Sequence, residues 1–139
     1  MFAETFVLSN IDTIPSTVTS TTDSKVLFLE ITNLVNMCEH HCSYHNTLIR
    51  NLLNILANKN VILNNKIEIL SGKTTRDKLL AYFNIQVIKN KSSEFKIPYN
   101  RESLADYLNL NRSSMSRELS AMQDEGIIKY NKNTFEILI

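Results

Sequence analysis

The chain has 139 residues and a mass of 16.0 kDa, enough for one ordinary domain or two small ones, with 43% hydrophobic and 21% charged residues in a globular balance. No apolar run approaches the roughly 20 residues of a membrane span, and Met1–Asn10 carries Glu4 without Lys or Arg, unlike a secretory leader. A net charge of +1 divides unevenly: Lys73–Ile139 holds 11 basic against 8 acidic residues and Met1–Gly72 holds 4 against 6, so only the C-terminal half is electrostatically suited to a polyanion.

Two Cys cannot build a disulfide scaffold, and reduced thiols in a cytoplasm are the expectation. Only Gly72, Gly126, Pro15 and Pro98 punctuate the chain, which disfavours Gly-rich phosphate loops and favours helices. There is no nucleophile elbow, Walker loop or paired-carboxylate motif, so no enzyme, no catalytic residue and no cofactor is expected. Glu102, Glu118, Asp124 and Glu125 have the spacing of exposed helix charges.

Residues 1–31 read as extended structure. Ser16–Thr22 is a run of small and β-branched residues, Asp23-Ser24 is a turn signal, and Lys25-Val26-Leu27-Phe28-Leu29 reads as a strand. One or two hairpins cannot bury a core of their own. The segment is therefore expected to pack on the rest of the chain or to be the tail of a larger β domain.

Residues 32–72 contain a linker and one long helix. Ile49, Leu53, Leu56, Asn60, Leu63, Ile67 and Leu70 fall at alternating steps of 4 and 3, a heptad seam that Leu52, Ile62 and Ile69 widen. From Ser43 to Leu70 the helix would span about 42 Å. That is more apolar stripe than so small a chain can cover, so a homodimer through Ser43–Leu70 is expected. Asn60 inside the seam would fix register and two-strandedness, and Gly72 is expected to end the helix as a C-cap.

Residues 73–139 divide into three helical patterns and a short hairpin. Thr74 or Thr75 can cap a helix carrying Leu79, Leu80, Phe83 and Val87 on one face. After a polar stretch broken by Pro98, Asn100 caps Arg101–Leu108 and Asn111 caps Arg112–Glu125. Gly126 stops the last helix, and Ile127–Tyr130 with Thr134–Ile137 alternates across Asn131-Lys132-Asn133 as a hairpin.

Two short helices joined by three residues must cross steeply. Ala105 is small enough for the contact, Asn109 tolerates positive φ in the turn, and Leu104, Leu108, Leu110, Met115 and Leu119 form the apolar floor. The spacing is that of a helix-turn-helix, with the hairpin as a wing. Arg112, Ser113, Ser114, Ser116 and Arg117 then point outward. In a major groove Arg112 or Arg117 can pair bidentately with guanine, and the Ser hydroxyls can serve either base type. Arg101, Asn111, Lys129 and Lys132 are placed for phosphates, which give affinity without sequence choice.

The stretch Arg101–Leu119, RESLADYLNLNRSSMSREL, continuing to Glu125-Gly126-Ile127-Ile128, resembles the C-terminal region of Crp/Fnr-type transcription regulators. The resemblance is strong over 73–138 and weak before Ile31. It implies base reading by Arg112, Ser113, Ser116 and Arg117, with Ser113 standing where many members carry an acid. It also implies that Ser43–Leu70 is the family's dimer helix, that residues 1–31 are a remnant of its cyclic-nucleotide-binding-like β-roll, and that RNA polymerase is a partner. Ala3–Phe6 and Ile14–Val18 fall where members keep a phosphate-binding cassette. The Arg that cyclic-AMP binders place near Ile14 is lacking here, so no cyclic-nucleotide binding is expected. A truncated product, or a member that has lost its sensor half, is the corresponding expectation.

The fold class expected is thus mainly α with small β: a β-roll remnant at 1–31, a linker and dimerisation helix at 32–72, and a winged helix-turn-helix at 73–139. The partner expected is double-stranded DNA, with no membrane. The alternative is a winged-helix protein-interaction or metal/redox-responsive module without direct DNA contact. Cys38, His40, His41, Cys42 and His45 carry that alternative, since three ligands could share one helical face. All come from one short stretch rather than two separated pairs, so no metal site is assigned.

Overall fold

The computed structural model describes residues 9, 13, 17–30 and 43–138, and Cα packing divides the chain into two compact units, 1–57 and 58–139. Helix α1 (Ser43–Ser71) runs from the first unit into the second. It is followed by α2 (Thr75–Asn90), β1 (Glu94–Lys96), α3 (Arg101–Leu108), α4 (Arg112–Asp124), β2 (Ile128–Asn131) and β3 (Thr134–Ile137).

In the first unit, residues 17–30 form no strand, contrary to the expectation for Lys25–Leu29. A strand requires a partner for its N–H and C=O groups, and here Val26, Leu27, Phe28 and Leu29 stay 52–88% exposed with no ladder among the described residues. The turn expected at Asp23-Ser24 is displaced: the chain bends at Thr21-Thr22, where Ser24 Oγ donates to the Thr22 carbonyl at 2.9 Å and lies 2.8 Å from Ser20 Oγ. Ala3–Phe6, Ile14–Ser16, Cys38, His40, His41 and Cys42 lie outside the described residues.

The second unit owes its cohesion to a core of Ile69, Leu79, Tyr82, Phe83, Phe95, Ile97, Leu104, Ala105, Leu108, Met115, Leu119, Met122, Ile128 and Phe135. Among the described residues the strands form one antiparallel sheet in the order β1-β3-β2, with Phe95 opposite Phe135 and Phe135 opposite Tyr130. Alternation puts Phe95, Ile97, Ile128 and Phe135 inward and Glu94, Lys96 and Lys129 outward. The hairpin expected from sequence is therefore two-thirds of the sheet. β1 hides in the stretch read as merely polar, because only Phe95 and Ile97 alternate within it.

Helix α2 starts on a full capping box: Thr74 Oγ1 accepts from Asp77 N–H at 3.1 Å and Asp77 accepts from Thr74 N–H at 3.0 Å. Gly72 has a different role from the one expected. Positive φ is found at Gly126 and not at Gly72, so Gly72 is no left-handed cap. A Cβ there would meet Lys78 N at 2.9 Å, so the residue is small because α1 hands over to α2 at close range. Ile69 is likewise not part of an outward seam. It is buried in the winged domain's core and anchors the end of α1.

Tyr82 is buried against Phe83 and Tyr107, and its hydroxyl has no hydrogen-bond partner among the described residues. Burial first, then the neighbouring Tyr99 and Tyr107, holds that hydroxyl well above the ordinary tyrosine range. The folded value is raised, so the stability tied to it is present below the unfolded value of about 10 and drains as pH climbs toward the folded one. Tyr82→Phe should therefore fold about 1 kcal/mol more stably at neutral pH. Urea melts at pH 7 and above pH 10 check this, and the variant's advantage should widen on the alkaline side.

Candidate nucleic-acid interface

The turn between α3 and α4 is built by three residues with separate duties. Asn109 takes the left-handed conformation at φ 50°, and Leu110 N–H returns to the Ala105 carbonyl at 2.9 Å, closing a Schellman motif. Leu110 packs against the core while Ala105, fully buried, lets the helices approach. Asn111 then caps α4: its carboxamide oxygen accepts from Ser113 N–H at 2.9 Å and Ser114 N–H at 3.4 Å. Lys78 on α2 steadies the turn by donating to the Asn109 carbonyl at 3.4 Å. Gly126, at φ 74°, ends α4 in a second Schellman motif, with Ile127 N–H on the Met122 carbonyl at 2.9 Å.

Helix α4 buries Met115, Leu119 and Met122 and turns Arg112, Ser113, Ser116 and Arg117 outward. Among the described residues neither Arg112 nor Arg117 is in an ion pair. Arg117 Nε makes only a 3.4 Å contact to the Ser113 carbonyl of its own helix, a tether weak enough to be exchanged for a ligand. The Ser residues are not equivalent. Ser113 Oγ donates to Asn111 Oδ1 at 2.6 Å, Ser114 is half-buried, and Ser116 is exposed with its carbonyl accepting from Ser120 Oγ at 3.2 Å.

Lys129 and Lys132 are exposed on the wing, Lys132 at φ 52° in the two-residue turn between β2 and β3. Arg101 is half-buried beside the wing. Its guanidinium lies 4.7 Å from the Tyr130 ring centroid and 5.0 Å from that of Phe135. Desolvation there lowers its pKa from the usual arginine value, and the cation–π contact ties the first turn of α3 to the wing. Gln123 adds a second tie, accepting from Tyr130 N–H at 3.2 Å. Asn111 has its carboxamide oxygen committed to the cap.

Three contacts escape sequence reading because their partners are 41 to 49 residues apart. Arg76 on α2 donates through Nε to Glu118 at 2.5 Å and through both terminal nitrogens to Glu125 at 2.7 Å each. Glu125 is exposed as expected and Glu118 is half-buried, and both are ion-paired. Their i,i+7 spacing on one face is the local signal that a cation stands opposite. Lys66 of α1 donates to the Tyr107 carbonyl and stands 3.5 Å from that ring's centroid, which joins α1 to α3.

Residues 77–139 match the family described as the Crp-like helix-turn-helix domain, a match that supports a DNA-binding regulator of the Crp/Fnr type. Comparison with curated proteins gives no match.

Two outcomes follow from the caps and ion pairs. Asn111→Ala should cost about 0.5–2 kcal/mol of stability, read from the urea midpoint, because two leading N–H groups of α4 lose their acceptor. The hydrogen bonds from Arg76 hold the Glu125 carboxyl below the usual glutamate range. The stability this lends is present above the unfolded value of about 4.3 and lost as pH falls through the folded one. Glu125→Gln should therefore flatten the acid limb of a stability-versus-pH curve.

Proposed function

We propose that this chain, whose residues 77–139 form a Crp-like helix-turn-helix domain, is a sequence-specific transcription regulator that acts in the cytoplasm and grips DNA as a dimer. The observation that carries the reading is the leading end of α4. Arg112, Ser116 and Arg117 are exposed there, both Arg without an acid partner among the described residues, on a helix whose opposite face is fully buried. Such an end can enter a major groove and offer guanidinium forks to guanine edges. Lys129 and Lys132 on the wing, with Arg101 behind them, serve the flanking phosphates.

Dimerisation through α1 is supported by the seam itself. Leu53, Leu63 and Ile67 are 60–62% exposed on the single chain, an apolar row that association would remove from water. Asn60 is already held in the helix, its carboxamide oxygen accepting from Asn64 Nδ2 at 2.8 Å. Two-fold symmetry then requires a roughly palindromic site with half-sites about 34 Å apart. In this reading residues 32–72 are the linker and dimer helix. Promoter-bound RNA polymerase is the corresponding partner.

The test is binding of the full chain to a duplex it selects from a random pool. Arg117→Ala should weaken binding to the selected duplex by about 1–3 kcal/mol while leaving random duplex nearly unaffected. Wild-type affinity should fall linearly on a logarithmic salt axis. A flat salt response, or an Arg117→Ala protein that discriminates as well as wild type, would sink the proposal.

A further inference from the structure

We infer that Arg76, outside the helix-turn-helix, is a positioning residue that sets the rotation and axial placement of α4 and thereby the sharpness of sequence discrimination. The inference rests on the reading of α4 as the DNA-entering helix.

The floor beneath α4 consists of Met115, Leu119 and Met122. Two of these are unbranched thioethers that repack with little cost, so the floor fixes how deep the helix sits better than how it is turned. A reading helix must be held within about 0.5 Å and 10–20° for its side chains to meet base edges. Arg76 supplies what the floor lacks. Its planar fork takes both Glu125 oxygens at 2.7 Å, and its Nε takes Glu118 at 2.5 Å. The two acids stand two turns apart on one face, so a single guanidinium opposes both rotation and sliding. Glu118 is moreover the immediate neighbour of Arg117.

Stability alone does not account for this arrangement. The three side chains are 35%, 26% and 46% exposed, and ion pairs that open to solvent are worth little to folding. What a three-bond guanidinium fork does provide is direction, which a lysine cannot reproduce. Arg76 also belongs to the first turn of α2, the turn that Gly72 allows α1 to approach closely. The placement of α4 is therefore referenced to the end of the long helix.

The experiment uses the full chain, with Arg76→Met, Arg76→Lys and the triple variant Arg76→Met/Glu118→Gln/Glu125→Gln, against the wild-type-selected duplex and random duplex. Thermal melts locate a temperature at which every protein is folded. There Arg76→Met and Arg76→Lys should each lose about tenfold in the ratio of selected to random affinity, with the salt slope unchanged. The triple variant, which leaves no unpaired acid to repel phosphate, should stay as poor a discriminator as Arg76→Met. Recovery of wild-type discrimination by the triple variant or by Arg76→Lys would show that charge alone was at work and overturn the positioning role. Wild-type discrimination by Arg76→Met would do the same while leaving the DNA-reading premise intact. Failure of the wild-type chain to enrich any sequence would remove that premise and the inference with it.

Discussion

Helices of 8 and 13 residues, such as α3 and α4, are at or below the length at which an isolated helix persists in water. They exist because they cross, and the crossing depends on one shared packing contact: small, buried Ala105 in a common core with Leu104, Leu108, Met115 and Leu119. That contact makes the three-residue turn necessary and forces Asn109 into left-handed backbone. It also leaves the opposite face of α4 bare. The exposed end that defines the functional reading is the other side of the same packing.

Polar groups add what burial cannot specify. Hydrophobic burial is non-directional, whereas the caps at Thr74, Asn100 and Asn111 fix where each helix begins. The Arg101 guanidinium fastens α3 to the wing, Gln123 fastens α4 to it, and Arg76 fastens α4 to α2. The outcome is a helix α4 whose apolar underside is forgiving and whose edges are pinned by charge and hydrogen bonding.

The long helix plays a different part at each end. Toward Ser71 it is committed to the winged domain through buried Ile69 and through Lys66 on Tyr107. Along its middle, Leu53, Leu63 and Ile67 remain bare. A heptad repeat read from sequence cannot separate these roles, since Ile69 and Ile62 have the same spacing to the seam. One is buried in the chain's own core, and the other is 62% exposed.

Local chemistry was enough to place α2, α3, α4, the hairpin, the left-handed Asn109 and the caps at Asn100 and Asn111, because each depends on residues within a few positions of one another. It also marked which side of α4 faces outward, since a period of 3.6 residues fixes that without reference to the rest of the chain. The third strand, the close approach at Gly72, the stacking of Arg101 on Tyr130 and the Arg76 fork were decided only by tertiary structure. Each joins groups that are distant along the chain, and no local propensity carries the position of a partner that folding alone brings near. The lack of a ladder at Lys25–Leu29 among the described residues follows the same rule: a strand-like composition becomes a strand only where another backbone lies alongside.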